Sequence, residues 1–185
     1  MLIGNTSFTD GCHLAVVCSG SFEDAIAEHK QELAICEALD DQLGMAVAHR
    51  RVGECYGELG NFDDALWHQR LHLDLAQRCA SVLEQQRAHA TIGLTHFRRA
   101  EACTSGTPQE LQALDSAEES FHQSLRTCEL LRGTITDGEY SEMKTRLLLN
   151  FGLSSCTADY KCNISLTRGV HCIMYVSGLQ SYMSS

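Results

Sequence analysis

The chain of 185 residues repeats itself at an offset of 40. Ala48, His49 and Gly53 recur as Ala88, His89 and Gly93. Gly60, Phe62, Ala65, Leu66, Leu73 and Leu75 are preceded by Gly20, Phe22, Ala25, Ile26, Leu33 and Ile35. A fixed period of roughly 20–50 residues marks a stacked-repeat architecture, in which each unit buries its apolar face against its neighbours. A single proline and few aromatic residues make those units helical. Residues 46–77 hold the clearest unit: one helix, a tight turn at Leu59-Gly60-Asn61, and a second, antiparallel helix. Gly53 inside the first helix costs about 1 kcal/mol relative to alanine. Its missing side chain lets the paired helix approach closely, with Ala65 as the small residue opposite.

In chain order, residues 1–19 show neither helical nor strand periodicity, and Gly4, Gly11, Ser19 and Gly20 punctuate them. From Phe22 the apolar positions fall at helical spacing, with Ser21 as N-cap, and this helix ends near Leu39. Gln42 or Gly44 opens the next, Gly60 stops it, and Asn61 begins its partner. A third unit starts near Val82 and keeps Ala88, His89, Ile92 and Gly93. Its second helix comes late: Ala65 and Ala117 lie 52 apart instead of 40, and the inserted stretch is placed at the turn around 102–108. A fourth first-helix runs from about Tyr140 to Gly152. The expected organisation is an irregular segment 1–19, repeats over 20–153, and an irregular tail 154–185. The helices at 22–38 and 140–153 should each leave one face uncovered.

Charge narrows the partners. Residues 20–153 carry 12 basic and 22 acidic side chains, which accounts for the whole net charge of −10. An acidic surface repels phosphate backbones, so direct nucleic-acid binding by this region is disfavoured. A protein or peptide of basic character is the natural complement. No segment has the length of a membrane span, and the N-terminus lacks the basic region of a signal peptide. The ten cysteines contain no C-x-x-C pair. Only Cys156, Cys162, His171 and Cys172 approach metal-ligand spacing, too loosely to predict a metal or any cofactor.

Helix pairs with Gly53, Tyr56, Gly60, Phe62 and Ala65 at these spacings resemble the tetratricopeptide repeat. The period of 40 in place of 34 resembles its long-repeat subclass. The expected fold is therefore all-α, a tetratricopeptide-repeat helical solenoid with irregular ends. The runs HKQELAICEALDDQLGMAVAHRRVGE and GEYSEMKTRLLLNFGL, with SFHQSLRTCELL and QRAHATIGLTH, are similar to the N-terminal repeat region of the Tonsoku-like family. That resemblance covers residues 20–153, and neither end shares it, so both ends are expected to derive from non-family sequence. It implies a nuclear scaffold working in homologous recombination at stalled replication forks with a large partner subunit, histones and recombinase. The resemblance implies that the family's histone-reading and partner-binding regions are to be expected outside this stretch. A polarity or G-protein-regulator adaptor with the same long repeat is the alternative.

No constellation for catalysis is present. His68 and His72 lack the glutamate of H-E-x-x-H and read as a solvated face. His49 and His89 read as partly buried spacers, and Cys55 as core. The acidic pairs Asp40-Asp41, Asp63-Asp64 and Glu118-Glu119 fit helix starts and turns. The chain is thus expected to be no enzyme. In stacked helix pairs the first helices line the concave face, which commonly holds a peptide. Repeat positions put Arg50, Arg51 and Glu54 there in the central unit, and Arg146 and Asn150 in the fourth. These five form the candidate groove. Charge reversal at Arg50 and Arg51 is expected to weaken peptide binding without unfolding the repeats.

Overall fold

A computed structural model describes residues 21–162, and their side chains up to Gly152. These residues form six α-helices: α1 Phe22–Ala38, α2 Gln42–Glu58, α3 Phe62–Arg78, α4 Val82–Ala102, α5 Pro108–Leu130 and α6 Asp137–Cys162. Consecutive helices pack on one another, α4 also reaches α2, and α6 reaches α4. The described residues are thus an all-α stack of helix pairs. The segments 1–20 and 163–185 lie outside them, and with them the sequence readings made there.

The period has a simple physical origin. Helices α1, α2 and α3 each contain 17 residues and are joined by three-residue turns. All three turns following them have one geometry. The first residue (Leu39, Leu59, Cys79) ends its helix in the right-handed region. The second (Asp40, Gly60, Ala80) is left-handed, with φ of 54°, 77° and 52°. The third donates its N–H five residues back: Asp41 to Cys36, Asn61 to Tyr56 and Ser81 to Ala76, each at 2.9 Å. The second donates three residues back, which completes a Schellman closure. The third residue then starts the next helix. Asp41 accepts from the Gly44 N–H at 2.9 Å and Ser81 from the Glu84 N–H at 3.4 Å, while Asn61 makes no side-chain cap.

Small residues set the spacing within each pair. A Cβ on Gly53 would lie 2.9 Å from Gln69 Cγ and 3.1 Å from the Ala65 carbonyl oxygen, so α2 and α3 touch backbone to backbone there. In the third unit a Cβ on Gly93 would lie 2.7 Å from the Phe121 ring. Gln69 and Phe121 have the same separation in the sequence as Ala65 and Ala117, so the register survives the insertion. The turn alone does not absorb the inserted stretch. Helix α4 has 21 residues and α5 has 23, against 17 in α2 and α3. Four extra residues follow Gly93, six precede Ala117, and the turn 103–107 is longer by two. The extra helical turns bury Ala100, Ala113 and Leu114 with Phe97, a small core of their own. Glu110 closes the end by accepting from the Gly106 N–H at 2.6 Å.

Helix α6 begins earlier and ends later than the sequence pattern indicates. Thr136 and Glu139 cap it reciprocally: the Thr136 N–H donates to Glu139 Oε2 at 3.1 Å and the Glu139 N–H to Thr136 Oγ1 at 3.3 Å. It runs past Leu153 to Cys162, so the chain leaves the apolar repeat pattern without leaving the helix. Phe151 on α6 packs with Phe121 and Ala117. Ile35 on α1, Leu39 after it and Leu149 on α6 are exposed, as are Trp67 on α3 and Leu130 on α5, and the segments flanking the two ends lie outside the described residues.

Of the three left-handed turn positions, only Ala80 carries an apolar side chain, and a Cβ costs about 1–2 kcal/mol there. Ala80→Gly relieves that cost but adds unfolded-state entropy. It should raise the unfolding free energy by about 0.5–1 kcal/mol, read as a higher urea midpoint at unchanged slope.

Candidate protein-interaction face

The five candidate groove residues do not form one exposed surface. Arg50 is only 6% exposed. Its Nη1 donates to Glu54 Oε1 at 3.2 Å and its Nε lies 3.8 Å from Glu84 Oε2, across on α4. Arg51 turns towards α1, where Nη1 donates to both carboxylate oxygens of Glu32, at 2.9 and 3.0 Å. Glu54 is half-buried beside Arg50. Arg146 pairs with Glu142 on its own helix at 2.6 Å, and Asn150 is half-buried one turn further along α6. The structure therefore brings Arg50 and Glu54 together, sends Arg51 to a neighbouring helix, and leaves Arg146 and Asn150 on a separate one. Reversal of Arg50 would set a buried negative charge against Glu54 and Glu84. The expectation that this leaves the fold intact is corrected by Arg50's burial under α4.

Glu84 is the centre of this polar layer. Burial alone would raise its carboxyl. The hydrogen bond from His72, then Arg87 and Arg50, overcome that and hold it at about 2. His72 Nε2 donates to Glu84 Oε2 at 2.9 Å and Arg87 Nη1 to Oε1 at 2.6 Å. The carboxylate acceptor fixes which ring nitrogen of His72 bears the proton. One carboxylate thus ties α2, α3 and α4 together. The sequence carries half of the signal: Ser81 and Glu84 have capping-box spacing. Here the serine does cap, but the glutamate side chain turns away to His72.

The reading of His68 and His72 as solvated is overturned, since both are buried. They lie on the face of α3 that packs against α2 and α4, next to Ala65, Gln69 and Leu75. His68 Nδ1 meets His49 Nδ1 at 2.8 Å, so one ring donates and the other accepts. Tyr56 stacks on His68 with centroids 5.7 Å apart, and Trp67 meets it edge-on at 4.6 Å. Burial, followed by the charges of His49 and Lys30, lowers His68 from 6.5 to about 4. Burial also lowers His49, His89 and His96. Cys55 is fully buried, and burial pushes its thiol up to about 12, so it is no nucleophile. Among the described residues no group of three His, Cys, Asp or Glu is placed to hold a metal, and no helix is long and apolar enough to cross a membrane. Cys156, Cys162, His171 and Cys172 lie outside the described side chains.

What remains is a helical stack whose buried polar groups join α2, α3 and α4. The chain is 46% identical to the Tonsoku-like protein of Mus musculus over 136 residues, 73% of this chain and 10% of the relative. It is 40% identical to that of Bos taurus over 161 residues, 82% of this chain. The chain belongs to the Tonsoku-like family. The Drosophila melanogaster relative is 34% identical over 72% of the chain. No family model matches the chain. It spans about a tenth of the length of these relatives. A scaffold resembling part of a Tonsoku-like protein follows from this similarity, and the polarity-adaptor alternative gains no support from it.

Two predictions test the polar layer. The unfolded chain binds a proton at His68 below pH 6.5, which the folded chain accepts only near pH 4. Stability from this residue is therefore full above pH 6.5 and falls as pH drops through that window, by about 2 kcal/mol at pH 5. His68→Phe should remove that part of the loss when denaturation curves at pH 7 and 5 are compared. Glu84→Gln leaves Arg50 buried beside a neutral group and should cost about 3–5 kcal/mol at pH 7. Chemical denaturation should show it to cost several times more than Glu142→Gln, which removes an exposed pair.

Proposed function

We propose that this chain acts as a non-enzymatic protein-interaction scaffold in the homologous-recombination repair of stalled replication forks. The observation that supports this is the family similarity, which covers about three-quarters of the chain. The family's implied setting is the nucleus and chromatin, with a large fork-repair partner subunit, histones and recombinase. The contribution proposed for the described residues is a contact made by the helical repeats themselves. The inner helices α2, α4 and α6 supply that contact. Glu54, Arg146 and Asn150 face the bound peptide, and Arg50 and Arg51 hold the helices in place behind it. Acidity over residues 20–153 favours a basic partner segment and disfavours direct nucleic-acid binding.

The test is to express the tagged chain in cells, stall replication forks, and isolate newly replicated chromatin. Recovery of the chain with that chromatin is expected. Arg146→Glu combined with Asn150→Ala should reduce recovery by about fivefold or more, as for an interface contact worth ~1 kcal/mol. Helical circular dichroism and melting temperature should not change. A chain absent from chromatin, with the variant indistinguishable from it, would overturn the reading.

A further inference from the structure

Helix α1 carries a stripe that the repeat assigns to a preceding helix, and no such helix is found among the described residues. Asp24, Glu28, Gln31, Ile35 and Leu39 follow at steps of four, three, four and four, which places them on one helical face. Their counterparts one repeat period on are Asp64, His68, Leu71, Leu75 and Cys79 of α3 and the turn after it. There the middle of the stripe lies beneath helices: His68 is held by His49 of α2 and Leu75 is 5% exposed, with Leu71 and Cys79 half-buried and Asp64 exposed. On α1 the same positions are open, with Ile35 61% and Leu39 73% exposed. Asp24 and Glu28 are exposed as well. The stripe is therefore segregated along its length, acidic at the N-terminal half and apolar at the C-terminal half.

Charge decides what can lie on it. Residues 22–41 hold seven carboxylates and one lysine, a net charge of −6. Residues 1–20 contain Asp10 and no lysine or arginine, so they bring no positive charge to it. A second copy of this chain, at −10 overall, is repelled. We propose that the α1 face docks an amphipathic helix of a partner protein, apolar in its N-terminal half and basic in its C-terminal half. That polarity follows from the way α2 lies on α3. Successive helices joined by three-residue turns run antiparallel, so an occupant in the same seat has its N-terminus over Leu39 and its C-terminus over Asp24. Basic residues in the last turns also suit the negative end of the occupant's own dipole. The partner adds one helix to the end of the stack, a helix-on-helix form of recognition. This docking rests on the reading of the chain as a protein-interaction scaffold, and it uses a different face from α2, α4 and α6.

The experiment is a calorimetric titration of the full chain with two synthetic helical peptides of the length of α2. One carries leucines on one face of its first half and lysines on the same face of its second half. The other has the same composition with the halves exchanged. The first should bind about tenfold or more tighter, an advantage that shrinks with added salt. Ile35→Asp with Leu39→Asp should abolish binding of the first peptide. Asp24→Asn with Glu28→Gln should weaken it and flatten its salt dependence. Arg146→Glu with Asn150→Ala should leave it unchanged. Equal binding of the two peptides, or loss of binding through the α6 variants alone, would overturn the α1 site while leaving the scaffold reading in place. Two further results would also overturn it. One is a dimer in sedimentation abolished by Ile35→Asp, which makes a second copy the occupant. The other is tighter peptide binding by a full chain carrying Leu14→Asp and Val16→Asp, which gives that place to residues 1–20. Chromatin recovery of the Ile35→Asp, Leu39→Asp chain separates the two readings, since failure of the scaffold reading would abolish recovery for the unaltered chain too.

Discussion

The three-residue Schellman turn is the constraint on which the rest of the stack depends. Each turn ends one helix, reverses the chain through a single left-handed residue, and supplies the next helix's first residue cap or its equivalent. With so little chain between helices, every helix must lie antiparallel against the one before it. Helix length then becomes the only free variable, and 17 residues plus three give a step of 20 and a repeat of 40. Glycine at Gly53 and Gly93 follows from this. Helices forced side by side by short turns meet most closely at those points, where a Cβ would strike Gln69 and Ala65 in one case and Phe121 in the other.

Close approach has an electrostatic consequence. Most of the residues buried between α2 and α3 are small or polar, so apolar area alone supplies little of the cohesion. Polar groups trapped there must be partnered, because an unmet buried donor or charge costs more than a met one gains. The chain meets most of that requirement with shared partners, while Glu54 Oε2, Gln69 Oε1 and His72 Nδ1 stay buried without a hydrogen bond. Glu84 serves His72, Arg87 and Arg50 from three helices, His49 serves His68, and Gln69 donates to Thr95 at 2.8 Å. Each of these groups fixes the rotation of one helix relative to another, which apolar contacts between alanines would leave loose.

Much of the fold was legible because turn geometry and close contacts write themselves in small residues at fixed offsets. Ser21, Gly60, Gly53 and Ala65 could be placed from the sequence for that reason, and the helix boundaries near 22, 39, 42 and 60 with them. The insertion was legible in size but not in form. A lengthened spacing looks the same whether it is loop or helix, and Phe97, Ala113 and Leu114 show their helical purpose only once packed. The candidate interaction residues fared differently. His68 looks like a surface residue by type but is enclosed by His49 and Tyr56 of α2. Arg50 and His72 look the same, and a linear sequence does not show that α4 lies over them. Their burial depends on a neighbour supplied later in the chain, as Glu84 on α4 is for both His72 on α3 and Arg50 on α2.

The distribution of charge follows the same logic where helices face one another. In the middle, arginines and glutamates occur on facing helices and cancel: Arg98 with Glu58 at 2.6 Å and Arg99 with Asp63 at 2.6 Å join α4 to α2 and α3 just as Arg50 and Glu84 do. A helix with a neighbour on both sides can neutralise its charges within the chain. On α1 the acidic residues outnumber the basic by six over residues 22–41, and the stripe whose middle is buried on α3 is exposed. Arg51 reaches back to Glu32 from the one side that α2 covers. Helix α5, between two neighbours, carries a comparable surplus, five carboxylates against Arg126, so the acidity is spread over the stack and not confined to its edge. What distinguishes α1 is the stripe: Ile35 is exposed where its counterpart Leu75 is buried, on the side of α1 for which no neighbour is found among the described residues.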